Sequence, residues 1–445
     1  MTNSAPVFRT PTWPVRVASF DAVPLMASRP RAEVVVYLDA TELGPRRPTG
    51  VLSSTPTSSP VISFAYARSW LDSRDAFAID PQLPLIEHEQ YVRDGVLPGI
   101  FADIAPDRWG RTLMQRREAL AAREEGRRAR TLNDWDHLIG VSDVGRMGAI
   151  RLAPNPRGDT FIDDRDHDLA VPPMARLREL EHGARELDRM KSLPAEDETT
   201  WLKLLLAPGS SLGGARPKAN YADEDGNLWI AKFPSARDVR EMGAWEYLLA
   251  DLAGASGIDV AEHRLLSLGG DQRTFAARRF DRVGTNRRLF ASAMTLTGKR
   301  DGDEASYLDV AMAVADHGSP GAIADDLEQL FRRVTFNVLV SNRDDHLRNH
   351  GFLRTDQGWR LAPAFDLNPT PEKLEHGLAI NEAERQPDIT LVRETAEWYR
   401  VRRPRAGQII DEVRAAVAVW KDSARDLGLS RDEIDLVTPA FEAAA

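Results

Sequence analysis

Between Asn342 and Asp366 the chain reads Asn-Arg-Asp-Asp-His-Leu-Arg-Asn, then two short apolar runs joined by a polar turn, then Pro-Ala-Phe-Asp. Asp344 and Asn349 stand five residues apart, and Asp366 follows seventeen residues later. Phosphoryl transfer from a metal-bound nucleotide uses residues in this order. One carboxylate accepts the hydroxyl proton, an Asn on the same loop reaches a Mg²⁺ ion, and a downstream Asp holds the metal against the phosphates. Taken alone, the segment also reads as a solvated polar loop between a helix and a hairpin, so the residues upstream must decide.

Gly209 to Lys218 (Gly-Ser-Ser-Leu-Gly-Gly-Ala-Arg-Pro-Lys) is a loop entering an extended segment. Gly213 and Gly214 would let backbone amides approach phosphate oxygens closely. Gly214 is followed by Ala215 and Arg216, where a P-loop would need Gly-Lys-Ser/Thr, so a P-loop NTPase is disfavoured. Such a loop alone is more often a turn than a nucleotide cradle. Lys232, in Trp-Ile-Ala-Lys-Phe-Pro, changes that balance: strand alternation puts it on the face of Ile230, where a cation needs a partner. Phosphates together with an acidic helix residue would supply one. The plainer alternative is an edge-strand lysine snorkelling to water. Glu246, on the helical run after the lysine strand, is the candidate acid, with Glu241 as its competitor. A strand over 262–268, a Gly-Gly-Asp-Gln turn and a strand over 274–280 ending at Asp281 complete a small sheet, and the last strand can offer backbone groups to adenine.

The surrounding elements fit an α+β, bilobal protein-kinase-like fold. Residues 1–31 read as a loosely ordered arm, 32–152 as an N-terminal unit with strands at 33–39 and 61–68, and 153–198 as a linker and helix. Residues 199–282 read as the nucleotide-binding part, including a short helix over 199–206, and 283–445 as a helical lobe with helices over 308–317, 323–339, 401–421 and 431–444. The 445 residues, 42% of them hydrophobic, have no apolar run near the ~20 residues of a membrane span, which predicts a soluble chain without a membrane partner. Cysteine is absent, so disulfides and thiolate metal sites are excluded, and with no signal-like N-terminus the expected location is cytoplasmic. A net charge of −10 argues against a protein that coats nucleic acid. Lysine is scarce, seven against 51 arginines, which draws attention to Lys218 and Lys232.

With these pieces in place the sequence resembles the HipA family of bacterial toxin kinases. The matching segments are 210–218, Ala-Lys-Phe-Pro (231–234), Arg-Arg-Phe-Asp-Arg (278–282), 342–349 and Leu-Ala-Pro-Ala-Phe-Asp-Leu (361–367), together with 97–111 in the N-terminal unit. The resemblance implies a Mg²⁺- and ATP-dependent serine/threonine protein kinase, the toxin of a toxin–antitoxin pair, whose targets include aminoacyl-tRNA synthetases. It implies Asp344 as catalytic base, Asn349 and Asp366 as Mg²⁺ ligands, Lys232 on the phosphates and His346 beside the nucleotide. Gly213, Gly214, Ala215, Arg216 and Lys218 would cover the phosphates, and the backbone of Arg278, Arg279 and Phe280 would form the adenine hinge. Ser211, or its neighbour Ser210, would be autophosphorylated. The implied partner is a HipB-like helix-turn-helix antitoxin, with DNA reached only through it. Two departures stand out: Arg278 occupies a hinge position expected to be acidic, and Asp345 stands where some members have Gly, as an extra metal contact or polar filler. A small-molecule phosphotransferase and a catalytically weak antitoxin-binding module are the alternatives.

Overall fold

The computed structural model describes residues 31–444 except 56–59, 93–95, 163–170, 190–200, 203–204 and 206–215. The expected arm, and most of the helix expected over 199–206, lie outside the described residues.

Val34 to Leu38 form an unbroken apolar run buried on both faces, the signature of a central strand. Strands β1 (Ala32–Leu38), β2 (Arg47–Ser54), β3 (Ile62–Tyr66) and β4 (Ile150–Ala153) accordingly make an antiparallel sheet in the order β3-β2-β1-β4. The sequence reading had no β2, because Pro48 and Gly50 look like turn residues. Pro48 sits where the β1–β2 register shifts, and Gly50 is required by close packing: a Cβ there would stand 2.3 Å from the Ala65 carbonyl oxygen. Helix α1 (Arg108–Glu124) begins at Asp107, whose carboxylate accepts from Gly110 N–H at 2.7 Å.

Helix α2 (Leu177–Arg189) precedes a second antiparallel sheet of β5 (Lys218–Ala222), β6 (Leu228–Lys232), β7 (His263–Leu266) and β8 (Thr274–Arg278), in the order β5-β6-β8-β7. Helix α3 (Met242–Ala255) joins β6 to β7. Leu113 and Met114 of α1, Leu180 and Leu187 of α2, and Tyr221, Trp229 and Phe233 of this lobe share one apolar cluster, so packing crosses the stretch read as a linker.

A short ribbon, β9 (Arg282–Val283) with β10 (Asn286–Arg287), leads to β11 (Phe290–Ser292). Helices α4 (Tyr307–His317) and α5 (Ile323–Leu339) follow, then β12 (Gly351–Arg354) and β13 (Trp359–Leu361), which pair with β11 in the order β11-β12-β13. Ser306 and Asp309 close a capping box on α4. Helix α6 (Arg403–Val417) and a separate helix Trp420–Asp426 replace the single helix expected over 401–421. The largest apolar cluster runs from β1 and β3 through α3 to α4, α5 and α6, so the N-terminal sheet and the helical lobe are built on one continuous core.

Candidate active site

Lys232 ends β6 with its side chain directed away from the packed back of the sheet. Its Nζ lies 2.5 Å from Glu246 Oε1 on α3 and 2.6 Å from Asp366 Oδ1, after β13. Glu241, the other candidate acid, is committed instead to Arg273, whose Nη2 donates to it at 2.8 Å. One ammonium thus serves two carboxylates. Burial pushes Glu246 up despite the cation beside it. Burial would also raise Asp366, but Lys232 outweighs it and holds this carboxyl at about 2. Burial opposes the charge on Lys232, yet Asp366 and Glu246 together keep it above the ordinary lysine value. Asp366 adopts φ 61°, in the left-handed region that a non-glycine residue enters at a cost of about 1–3 kcal/mol. The surrounding structure therefore holds this carboxylate where it meets the lysine.

Ser341, with φ 50°, turns the chain off the end of α5 into the loop 342–349. Neighbouring carboxylates on this loop face opposite ways. Asp345 is buried and accepts from Tyr307 Oη and Asn337 Nδ2, each at 2.8 Å, with His350 Nε2 also at 2.8 Å. Burial alone would raise Asp345, but His350 and these donors hold it below the usual carboxylate range. Asp345 does not line the cleft and is held by these partners as the loop's internal anchor. Asp344 is exposed at the cleft and ion-paired with Lys373. His346 and Asn349 line the same cleft.

That cleft, of about 1530 Å³, also brings in Arg216, Lys218, Lys232, Glu246, Arg278, Arg279, Phe280 and Asp366. It exceeds the ~300–1,000 Å³ of an ordinary small-molecule pocket. Ser210, Ser211, Gly213, Gly214 and Ala215 lie outside the described residues. Arg216 pairs with Asp238 and donates to the Phe233 carbonyl at 2.9 Å. Lys218 is buried against Asp107 of the N-terminal unit, 2.8 Å away, so a charge expected on phosphate has a structural partner across the domains.

The hinge segment is also rearranged relative to expectation. Arg278 turns its side chain to Asn227 and Glu262. Arg279 is fully buried on Asp281, Asn220 and the Gly145 carbonyl. The backbone amides of Arg278 and Arg279 donate to the Glu262 and Leu228 carbonyls, at 2.7 and 2.9 Å. Phe280 remains facing the cleft with its ring beside Phe365.

Sequence reasoning missed Asp107, Met147, Asp281 and Lys373. The scarcity of lysine could have flagged the last: of the seven in the chain, Lys218, Lys232, Lys299 and Lys373 all line this cleft. In a chain that otherwise uses arginine, the compact ammonium is concentrated where the chemistry would lie.

Asn349 and Asp366 both offer oxygen donors to the cleft. Magnesium is commonly held by one or two carboxylates together with substrate phosphates, not by an all-protein cage. The donor set fits that mode, and among the described residues there is no cluster of three or more His, Asp or Glu arranged for a metal.

A sheet-rich lobe and a helical lobe around a cleft, with a strand lysine paired to a helix glutamate opposite an Asp/Asn loop, define a kinase-like α+β fold. Residues 43–151 match the HipA N-terminal domain and residues 210–420 the HipA-like C-terminal domain, and the chain belongs to the HipA family. It is 26% identical over 421 residues to a Sinorhizobium fredii protein named "Putative kinase Y4mE", covering 84% of this chain and 90% of that one. A second protein of that organism, "Putative kinase Y4dM", is 24% identical over half of this chain, and the match spans 59% of its length. Among solved structures, HipA in the Shewanella oneidensis complex of HipA, HipB and operator DNA superposes with a TM-score of 0.62, at 17% identity, over 92% of this chain and 95% of that one. Among the described residues no helix is long and apolar enough to cross a membrane.

Proposed function

We propose that this chain is a Mg²⁺/ATP-dependent serine/threonine protein kinase acting as the toxin of a HipA/HipB-type pair. The observation that carries the reading is Lys232 held between Glu246 and Asp366 across the cleft from Asp344 and Asn349. Glu246 orients the lysine towards the phosphates. Asp344, exposed at the cleft mouth, takes the proton of the incoming hydroxyl, and Asp345 fixes the loop that presents it. Asn349 and Asp366 would hold Mg²⁺, which supplies neutralisation of phosphate charge. Phe280 offers an apolar face to the adenine ring, while Arg216 and the Gly-rich residues before it would form the phosphate side, with His346 beside the nucleotide, and Lys218 anchors the end of that loop on Asp107.

The substrate we propose is a translation component such as an aminoacyl-tRNA synthetase. Phosphate on Ser211 or Ser210 would drive the Gly-rich loop from the nucleotide by charge repulsion and silence the enzyme. A HipB-like helix-turn-helix antitoxin would be the partner and the route to DNA, a suggestion favoured by the likeness to HipA from a HipA–HipB–operator complex.

The test is incubation of the purified chain and Asp344→Ala with Mg²⁺ and labelled ATP, alone and with a panel of aminoacyl-tRNA synthetases, followed by mass-spectrometric mapping. Phosphate on a serine or threonine of the chain or of a synthetase, dependent on Asp344, is expected. No transfer from the wild-type chain, or equal transfer by both proteins, overturns the reading.

A further inference from the structure

One wall of the cleft comes from neither lobe. Met147, on the segment ahead of β4, lines the cleft together with Phe280, Phe290 and Phe365. Met147 and Phe280 pack on a cluster formed by Phe290, Leu353 and Ala362. The Phe280 ring centroid lies 5.6 Å from that of Phe365 and 6.1 Å from that of Phe290. A polarizable thioether beside aromatic rings makes an apolar slot suited to a flat heteroaromatic group.

The position of Met147 is fixed from the hinge side. Arg279 Nη1 donates to the Gly145 carbonyl, Arg282 Nη2 to that of Arg146 and Arg287 Nη2 to that of Asp143, each at 2.7 Å. Gly148 N–H donates to Asp281 Oδ2, also at 2.7 Å. Gly148 needs its φ of +72°, and a Cβ there would stand 3.3 Å from Phe290 N. Asp281 is fully buried between Arg279 and Arg282, which hold its carboxyl far below the usual range although burial opposes this. Hydrogen bonds therefore secure the residues on both sides of Met147 to the segment that follows β8 and to the β9–β10 ribbon.

We infer that Met147 contacts the nucleotide base, so that the base pocket is completed by the N-terminal domain. This rests on the nucleotide-binding reading above. Met147→Trp fills the slot and lowers affinity for Mg-ATP by more than about tenfold, while affinity for Mg-tripolyphosphate, which has no base, stays as in wild type. Met147→Ala loses the contact and weakens Mg-ATP about five- to tenfold. Leu353→Ala removes bulk from the same cluster without reaching the cleft, and leaves Mg-ATP affinity unchanged.

Titration calorimetry on the full-length chain, with melting temperatures recorded for each variant, makes the comparison. If Met147→Trp folds, unchanged ATP affinity overturns the inference, as does an equal loss for tripolyphosphate. If Met147→Trp fails to fold, the Met147→Ala and Leu353→Ala pair decides, and equal ATP affinity in the two overturns it. A wild-type chain that binds no ATP removes the kinase reading and this inference together, whereas binding that Met147 does not influence removes the inference alone.

Discussion

Replacing Lys232 by Met keeps most of the side-chain stem and removes the charge shared by Glu246 and Asp366. The two carboxylates, 2.5 and 2.6 Å from Nζ in the native site, are then left facing a cleft with no cation between them. A carboxylate can escape such repulsion by binding a proton, and this caps the cost. Protonating a Glu of ordinary value near 4.5 at a pH of about 7.5 costs about 4 kcal/mol, at about 1.4 kcal/mol per unit. The Asp366 side chain is 39% exposed, and solvent screening brings the expected loss to about 2–3 kcal/mol.

The pH dependence has a definite sign. In the variant, the folded state holds a proton that the unfolded state has released, so its stability falls as pH rises. In the wild type, Asp366 is held at about 2; its contribution is complete above its unfolded value and is lost only as pH falls through about 2. The gap between the two proteins should therefore widen further as pH rises above the ordinary glutamate range, by no more than about 1.4 kcal/mol per unit. At about 2 cal/mol/K of unfolding entropy per residue, a chain of this size shifts by roughly 1 °C per kcal/mol. Melting temperatures should differ by about 2–3 °C near pH 7.5 and by a smaller amount near pH 5. A difference that stays constant across that range, or a variant as stable as the wild type at the higher pH, would refute the shared-cation account.

Asp281→Ala strips the countercharge from the buried Arg279 and Arg282 and removes the acceptor of Gly148 N–H. It should cost about 3–5 kcal/mol in urea unfolding, and a loss below about 1 kcal/mol would contradict the role given to this network. Lys373→Ala breaks an exposed pair, so stability should change by less than about 0.5 kcal/mol. Turnover should nevertheless fall about tenfold, with Lys373→Arg restoring most of it, because Lys373 orients Asp344; a parallel fall in melting temperature and turnover would reduce Lys373 to a packing contact.

The elements that bear the chemistry were legible because their residues are local. Asp344 and Asn349 share a loop, Lys232 sits in an alternating strand, and Glu246 follows on the next helix. What the sequence concealed lies in pairs far apart along the chain. Lys218 finds Asp107, and Arg279 finds the Gly145 carbonyl, 134 positions away. No periodicity announces such pairs, so Lys218 reads as a phosphate ligand and Arg279 as a backbone contact to adenine, with nothing to signal the protein partners of their side chains. Strand β2 was hidden for a different reason: Pro48 and Gly50 follow turn statistics, and only the approach of Ala65 and Phe64 shows why a glycine belongs in that strand. The burial of Asp345 beside the exposed Asp344 could not be read either, because Tyr307, Asn337 and His350 reach it from other parts of the chain or of the fold.

The segment 143–148, gripped by one arginine of the hinge and two of the ribbon after it, bears on how such proteins can diversify. Two units that are separable as text are one object in space: the first supplies backbone carbonyls, the second supplies the guanidinium groups that need them, and neither set can be left dry and unmatched. A recombination event joining the first unit of one relative to the second of another would have to carry this lock and its key together. Exchange between such genes would thereby be confined to pairs already compatible at that joint.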